Sequence, residues 1–173
     1  MIVTSLDGSL PFYRAHTPRW SAEPLSGAGA GKVGGRLNRR GVDALYLSAS
    51  TETAINEYQQ LSPLLPPCTL AQYRVVLASV VDFRGGFDAT HWPLLWRDLY
   101  CDHRHLANIE HVEPPSWILG DEVIAAGHAG VLFKSARGSG VNLVVYTAAV
   151  KPPDRLEVID PDGKLPRSGE SWK

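Results

Sequence analysis

Three residues with complementary chemistry stand within one short stretch of the chain. Arg36 follows two glycines, Tyr46 lies in an apolar segment, and Glu57 lies in a segment with helical spacing. A guanidinium pairs with phosphate oxygens through a planar fork. A fixed carboxylate stabilises the positive charge that builds on a sugar when its glycosidic bond breaks. The set is therefore suited to a substrate that carries both phosphate and ribose.

Each candidate residue also has an ordinary interpretation. A loop arginine is most often a solvated charge, a helix glutamate is most often exposed, and Tyr46 could simply pack in the core. Ser135 begins a polar loop, where serine commonly serves turn geometry. Arg14 differs, because it lies in an apolar segment between Tyr13 and Ala15, where a charge is costly unless it is paired. It pairs with an internal carboxylate or faces a substrate anion.

A glycine-rich run at residues 27–35 precedes Arg36 and fits G-x-G-x-x-G from Gly29 to Gly34. No strand precedes this run and no helical apolar face follows it, so a dinucleotide fingerprint is not expected. A phosphate loop does not fit, because Ser26 and Val33 stand where Gly and Ser or Thr are needed. The run is predicted to be a mobile loop that lets the backbone approach a ligand.

The region around residue 100 raises the question of a metal. It contains Cys101, His103, His105 and His111, but their spacing matches no common zinc pattern, so no metal site is predicted. The same region is rich in aromatic side chains, which form either a packed core or a docking surface for a partner. These aromatic residues are Trp92, Trp96, Tyr100 and Trp117.

Hydrophobic patterning predicts short strands joined by real loops. Strands are predicted over residues 10–16, 43–48, 69–83, 130–133, 141–148 and 156–159. Helices are predicted after a Ser50 or Thr51 cap, over residues 92–106, and over residues 117–126 behind a Ser116 cap. In the first helix the apolar face is Ala54, Ile55, Tyr58 and Leu61. Strands outweigh helices and are not strictly interleaved with them, which indicates an α+β fold.

Length and composition limit the remaining possibilities. The 173 residues suit one domain, with a polar tail from about residue 160. A net charge of −1 argues against direct nucleic-acid binding. No apolar run approaches the roughly 18 residues of a membrane span, and the first residues do not resemble a signal peptide. Two cysteines are too few for a disulfide framework, so the cytoplasm is the expected compartment.

The order of these signals resembles the RES domain, the toxin half of a bacterial toxin–antitoxin pair. In the first half the matching motifs are YR at 13–14, GR at 35–36, LYLS at 45–48 and AINE at 54–57. In the second half they are PS at 115–116, LGD at 119–121, GVLFKSAR at 130–137 and NLV at 142–144. The similarity covers nearly the whole chain, from about residue 12 to residue 159.

The resemblance implies a fold, a substrate and a partner. The fold would be ADP-ribosyltransferase-like, with a split antiparallel β-core, flanking helices and an NAD-binding cleft. The protein would consume NAD⁺ inside the bacterial cell, with no metal. A cognate antitoxin, usually one with an Xre-type DNA-binding domain, would neutralise it.

The resemblance also assigns the site. The family takes its name from an arginine, a glutamate and a serine, which here match Arg36 (or Arg14), Glu57 and Ser135. Asn142, in the last matching motif, is included among the residues expected to contact NAD⁺.

Roles follow from this assignment as a hypothesis. Arg36 and Arg14 would hold the pyrophosphate, and Tyr46 would stack on the nicotinamide end. Glu57 would bind the ribose hydroxyls and stabilise an oxocarbenium-like state. Ser135 would orient the nicotinamide ribose or Glu57.

This sequence departs from the family pattern at a residue expected to stack on the substrate. Members of the family often have an aromatic residue after the loop arginine, whereas this chain has Leu37. Some of the stacking on the substrate is therefore expected from Tyr46 or Tyr13.

The acceptor of ADP-ribose is the least constrained part of the hypothesis. Transfer to a protein is the first choice, because the aromatic segment from Trp92 to Trp117 could form a docking surface. Phosphorolysis or hydrolysis of NAD⁺ is the enzymatic alternative. A nucleotide-binding or protein-interaction module that uses the same arginines without turnover is the non-enzymatic alternative.

Overall fold

The strands of the computed structural model, which describes residues 1–60 and 62–172, form one six-stranded sheet. They are β1 (Val3–His16), β2 (Ala44–Ser48), β3 (Thr69–Asp82), β4 (Gly130–Lys134), β5 (Val141–Tyr146) and β6 (Arg155–Val158). The strand order is β1-β2-β5-β4-β3-β6, and β1 also pairs with β3, so the first five strands close into a barrel-like sheet. The β3–β4 pair is parallel and the other pairs are antiparallel. The prediction of an antiparallel β-core therefore holds for every pair except β3–β4.

Helices are short and flank this sheet. They are α1 (Ala28–Val33), α2 (Thr51–Gln59), α3 (His103–His105) and α4 (Pro115–Ala125). Single turns of 3-10 helix occur at Pro18–Trp20, Leu94–Asp98, Thr147–Ala149 and Gly169–Trp172, and a π-helical turn follows α3 at Leu106–Glu110. Strands outweigh helices, which agrees with the predicted α+β class. No helix among the described residues is long and apolar enough to cross a bilayer.

Alternating side chains along β2 and β5 divide the core into two parts. Leu45, Leu47, Leu143 and Val145 point into the barrel-like sheet, where they pack with side chains of β1 and β3. The other face of β4 and β5 packs against α4 and the segment before it. That second cluster includes Val131, Phe133, Val144, Leu119, Trp92 and Trp96.

Several predicted elements need correction. The glycine-rich run at 27–35, predicted to be a loop, contains the helix α1. Its glycines gave no helical signal, and tertiary bonds such as Gly41 N–H to the Gly31 carbonyl at 2.8 Å hold it instead. Ser116 is not a cap: α4 begins at Pro115 after Pro114, and Ser116 is buried in the first turn. Residues 92–106 form short separate turns rather than one helix.

The helix that carries Glu57 begins as predicted. Ser50 caps α2, and its Oγ accepts a hydrogen bond from the Thr53 N–H at 3.1 Å. Thr53 and Ala54 are buried, which seats the first turn of α2 on the sheet. The predicted inward position of Leu61 lies outside the described residues. Glu57 therefore lies about two turns beyond the fixed Ser50 cap.

Candidate active site

The Glu57 carboxylate is held from one side. Its Oε1 atom accepts hydrogen bonds from Ser135 Oγ at 2.6 Å and from Asn142 Nδ2 at 2.7 Å. In the described part of the chain Oε2 has no hydrogen-bond partner. Two donors on one oxygen fix the orientation of the carboxylate and leave the other oxygen for a ligand.

The loop between β4 and β5 brings Ser135 to this carboxylate. The Ser135 N–H donates to the Gly140 carbonyl at 2.8 Å, and its Oγ accepts from the Arg137 N–H at 2.9 Å. Gly140 lies so close to α2 that a Cβ atom there would overlap the Thr53 side chain. Glycine at this position therefore lets the loop rest directly on the start of α2.

Asn142 reaches Glu57 from the start of β5. Asn142 is buried and pairs with Ser48 in the β2–β5 register. Its Oδ1 accepts a 2.8 Å hydrogen bond from Ser48 Oγ, which fixes the amide so that Nδ2 points at Glu57. Tyr13 pairs with Ser48 on the opposite side, so its side chain lies on the same face of the sheet.

Arg36 is anchored through one nitrogen. Its Nη1 donates to the carbonyls of Leu99 at 3.3 Å and Cys101 at 3.1 Å, and its guanidinium carbon lies 5.6 Å from the centre of the Tyr100 ring. Among the described residues Nε and Nη2 have no hydrogen-bond partner. An edge made of Nε and Nη2 can bind two oxygens of one phosphate.

The backbone before Arg36 is fixed by an aromatic contact. Trp117 Nε1 donates to the Gly35 carbonyl at 2.8 Å. A Cβ atom on Gly35 would overlap the Tyr46 hydroxyl, so only glycine allows this approach. Trp117 therefore acts as a positioning residue for Arg36, and sequence analysis had considered it only as part of the aromatic segment.

The Tyr46 hydroxyl is used within the protein. It accepts from the Leu37 N–H at 2.9 Å and donates to Asn38 Oδ1 at 2.8 Å. Burial raises the pKa of Tyr46, so the phenol stays protonated. Tyr46 and Ser48 share one face of β2, because side chains alternate along a strand. The ring thus lies on the face of the sheet that carries Ser48, and its stacking on nicotinamide stays a prediction.

Asn38 was missed by sequence analysis and organises the segment around Arg36. It is fully buried, and its Nδ2 donates to the carbonyls of Ala30, Arg39 and Val42 at 2.8 to 3.2 Å. Its Oδ1 also accepts from the Gly35 N–H at 3.0 Å. A polar residue in a glycine-rich, polar segment gives no local signal of burial, which explains the omission.

The segment at 99–105 joins the Arg36 end of the site to the Glu57 end. The Tyr100 hydroxyl donates to the Lys134 carbonyl at 3.1 Å, next to Ser135. Arg104 Nη1 donates to Gln60 Oε1 at 2.7 Å, just beyond the end of α2. Arg36 and Glu57 are therefore tied to the same short segment although they share no direct bond.

His103 lies in this segment and had been considered only as a metal ligand. Burial, together with the nearby Arg36 charge, lowers the pKa of His103 to about 4, so its imidazole is neutral at pH 7. Its Nδ1 is buried, with no hydrogen-bond partner among the described residues. Within residues 1–60 and 62–172, no group of three or more His, Cys, Asp or Glu side chains is placed to hold a metal ion.

Arg14 lies apart from the Glu57 cluster. Its Nη1 donates to the Ser26 carbonyl at 3.2 Å, and the guanidinium lies beside Tyr73 in the inner core. Burial lowers the pKa of Arg14, because the charged form loses hydration. In the described part of the chain no carboxylate forms an ion pair with it, so the internal partner considered from the sequence is not found there.

The aromatic segment is mostly core. Trp96 is fully buried and Trp92 nearly so, and both rings pack against Phe83 at centroid distances of 5.2 and 4.9 Å. Trp117 is half-buried and bonded to the Gly35 carbonyl. Only Tyr100, with 42% of its surface exposed, remains as a large exposed ring of the predicted docking set. The predicted docking surface is therefore wrong for Trp92 and Trp96.

The fold and site together define a small α+β protein with a fixed carboxylate and an anchored arginine, which are linked through the segment at 99–105. The sequence profile of the RES domain matches residues 11–168. This match covers most of the chain, which therefore belongs to the RES domain family.

Comparison with solved structures gives a consistent fold. A chain in the crystal structure of the M. tuberculosis MbcT–MbcA toxin–antitoxin complex superposes with a TM-score of 0.60 at 19% sequence identity. The superposition covers 90% of this chain and 84% of that chain. A search of curated protein sequences found no match. At this identity the likeness establishes the fold alone.

Proposed function

We propose that this protein is a toxin that cleaves the nicotinamide–ribose bond of NAD⁺. The observation that carries the proposal is the Glu57 carboxylate, held through Oε1 by Ser135 and Asn142 with Oε2 left for a ligand. A carboxylate fixed before substrate arrives stabilises developing positive charge without reorganising, and such preorganised groups are worth about 10²–10³ in rate. Membership of the RES domain family supports the same reaction.

The reaction needs little from the protein beyond this carboxylate. As the C–N bond breaks, its electron pair goes to nicotinamide, which leaves as a neutral molecule. The positive charge passes to the ribose carbon and ring oxygen, where Glu57 Oε2 stabilises it. An oxygen nucleophile then bonds to the same carbon and loses a proton to solvent.

Arg36 would hold the pyrophosphate during this step. Its anchored Nη1 fixes the plane of the guanidinium and presents the Nε–Nη2 edge. A preorganised fork loses less side-chain entropy on binding phosphate than a free arginine would. An ADP-ribosyltransferase-like arrangement of the barrel-like sheet, with the cleft between Arg36 and Glu57, belongs to the same proposal.

The acceptor is proposed to be small, either water or phosphate. The argument for a protein acceptor depended on an exposed aromatic surface, and Trp92 and Trp96 are core residues. Water is always present, so hydrolysis proceeds unless the site excludes it. Transfer to a protein remains the second candidate, because Tyr100 is exposed beside Arg36.

A cognate antitoxin completes the proposal. The similar solved chain comes from a toxin–antitoxin complex. A cell that makes an enzyme that depletes NAD⁺ needs an inhibitor of that enzyme. We expect this antitoxin to carry an Xre-type DNA-binding domain and to cover the cleft. Expression of this chain alone should then arrest bacterial growth, and expression of Glu57→Gln should not.

The deciding experiment incubates the purified protein with NAD⁺ and measures the release of nicotinamide by chromatography. The wild type should release it, and Glu57→Gln should not, because the change removes charge but keeps size. Glu52→Gln, an exposed residue on the same helix, is the matched control and should match the wild type. A folded wild-type protein that binds NAD⁺ without releasing nicotinamide would instead be a binding module.

A further inference from the structure

The strand β6 forms an open edge of the sheet. It pairs with β3 and lies at the end of the strand order, outside the closure made by the β1–β3 pair. In the described part of the chain no strand pairs with its other edge. Leu156 and Val158 pack against the inner core. Arg155 and Glu157 are exposed on the outer face. An open strand edge is a template for pairing with another chain.

The backbone of β6 has hydrogen-bonding groups that point to the open edge. The Ile159 N–H donates to the Gln72 carbonyl of β3 at 2.8 Å. Backbone groups alternate in direction along an antiparallel strand, so those of Leu156 and Val158 point away from β3. Within residues 1–60 and 62–172, neither of these two N–H groups has a hydrogen-bond partner. A second strand could therefore bond to this edge.

The exposed charges of β6 are unpaired. Among the described residues, neither Arg155 nor Glu157 forms an ion pair or a side-chain hydrogen bond. Arg74 stands opposite Glu157 in the β3–β6 register and forms no ion pair with it. Arg155 and Glu157 are two positions apart, so both side chains lie on one face of the strand. This arrangement is complementary to itself when the strand direction is reversed.

We propose that β6 is the contact surface for a second copy of this chain, and that two copies of the sheet join through antiparallel β6 strands. The two-fold axis passes through Leu156, whose N–H and C=O bond to those of the partner's Leu156. Arg155 then stands opposite the partner's Glu157, and symmetry repeats this pair. These flanking positions are not hydrogen-bonded, so their Cα atoms approach to about 4.5 Å and their side chains meet. Opposite charges at such positions stabilise the pairing.

The same charges select the register. Moving the axis to Arg155 or to Glu157 would place two like charges directly opposite each other, which is unfavourable. The contact is short, because β6 has only four residues, Arg155–Val158. Small interfaces and exposed ion pairs are weak, so we expect a dissociation constant on the order of 100 µM that rises with salt.

The first test measures the mass of the full chain by sedimentation at concentrations up to about 1 mM, well above this dissociation constant. The wild type should change from monomer to dimer. Glu157→Arg places like charges opposite each other, and the dissociation constant should rise about tenfold or more. Glu122→Arg is the matched control, because Glu122 is exposed on α4 and its substitution changes the net charge equally. Thermal unfolding verifies that each variant is folded.

Rescue by charge exchange identifies the partner surface. Arg155→Glu alone should weaken self-association as Glu157→Arg does. A mixture of the two single variants should form a dimer, because every Glu then stands opposite an Arg of the other copy. The double variant Arg155→Glu/Glu157→Arg should also associate by itself, since the exchange keeps the two charges complementary.

A cysteine cross-link measures the register directly. Cα atoms about 4.5 Å apart are within disulfide range. Under mild oxidation, a mixture of Arg155→Cys and Glu157→Cys should therefore give more cross-linked dimer than either variant alone. The mixture also keeps one Arg155–Glu157 pair at the other end of the contact. The wild type, with its own Cys68 and Cys101, measures the background.

Each outcome decides the proposal. A wild-type dimer that is weakened by each single charge reversal and restored in their mixture supports β6 as the contact. A dimer that neither reversal affects would lie on another surface and would overturn the proposal. A monomer at the highest concentration, with no cross-link above background, would overturn it as well. Glu57, Ser135 and Asn142 lie outside β6, so this result does not depend on the release of nicotinamide.

Discussion

Ser135 Oγ lies 2.6 Å from Glu57 Oε1, although the two residues are 78 positions apart in the chain. The bond exists because the β4–β5 loop rests on the start of α2, where Gly140 meets Thr53. Asn142 makes the second bond to the same oxygen. The orientation of the carboxylate is therefore set by contacts between distant elements, and it is in place without a ligand.

Ser135→Ala should lower kcat for nicotinamide release about tenfold with little change in KM. The hydroxyl holds the carboxylate through Oε1, and its loss leaves Asn142 as the remaining donor. A hydrogen bond to a charged group is worth about 1.5–3 kcal/mol, and about 1.4 kcal/mol corresponds to a tenfold change in rate. Steady-state kinetics measure both constants.

The control for this prediction is Ser62→Ala. Ser62 is an exposed serine whose Oγ, among the described residues, accepts a hydrogen bond from the Leu64 backbone N–H. Its kcat should equal that of the wild type. If Ser135→Ala raised KM and left kcat unchanged, Ser135 would bind the substrate directly instead of positioning Glu57.

Arg36→Lys should weaken NAD⁺ binding about tenfold even though the charge is kept. Lysine cannot offer the two parallel donors of the Nε–Nη2 edge, and it cannot reproduce the two bonds to the backbone carbonyls of Leu99 and Cys101. Calorimetry on a Glu57→Gln background measures this without turnover. Arg84→Lys, an exposed arginine paired with Asp82, is the control. Unchanged affinity for Arg36→Lys would mean that Arg36 only fastens the 99–101 segment.

The sequence pattern predicted those parts of the fold that depend on neighbouring residues. The long alternation of β3 and the cap at Ser50 are properties of neighbouring residues, and both are found in the structure. Closure of the sheet through the β1–β3 pair depends on residues 53 to 78 positions apart, and local sequence spacing does not indicate such a pairing. The α1 helix was missed because its two glycines weaken the helical signal, and bonds from Asn38 and Gly41 hold it in place.

The site shows the same division. Arg36, Glu57 and Ser135 were selected by chemical type and by resemblance, and the structure pairs Glu57 with Ser135 directly. Geometry that depends on the third dimension could not be foreseen. Examples are the separate cavity around Arg14 and the burial of Trp96. The residues on either side of them in the sequence do not indicate whether a side chain faces the core, a cavity or the solvent.

Asn38→Ala should reduce the free energy of unfolding by about 3–5 kcal/mol. The side chain makes five hydrogen bonds within a fully buried site. Its loss leaves the Tyr46 hydroxyl without its acceptor and the Val42 carbonyl without its side-chain donor. Urea denaturation measures the change. Asn108→Ala is the control, because Asn108 is exposed and makes one surface bond to Arg40. That variant should stay within about 0.5 kcal/mol of the wild type.

The acceptor of ADP-ribose can be identified by the product. Once nicotinamide has left, the ribosyl cation bonds to the nucleophile that the site admits, and water or phosphate is expected because Trp92 and Trp96 provide no exposed docking surface. NAD⁺ that carries a tag on its adenine should therefore yield free tagged ADP-ribose, or its phosphate ester when the buffer contains phosphate. Chromatography separates the two products, and Glu57→Gln should give neither. A tagged protein band in bacterial lysate, present with the wild type and absent with Glu57→Gln, would contradict this prediction and identify a protein as the acceptor.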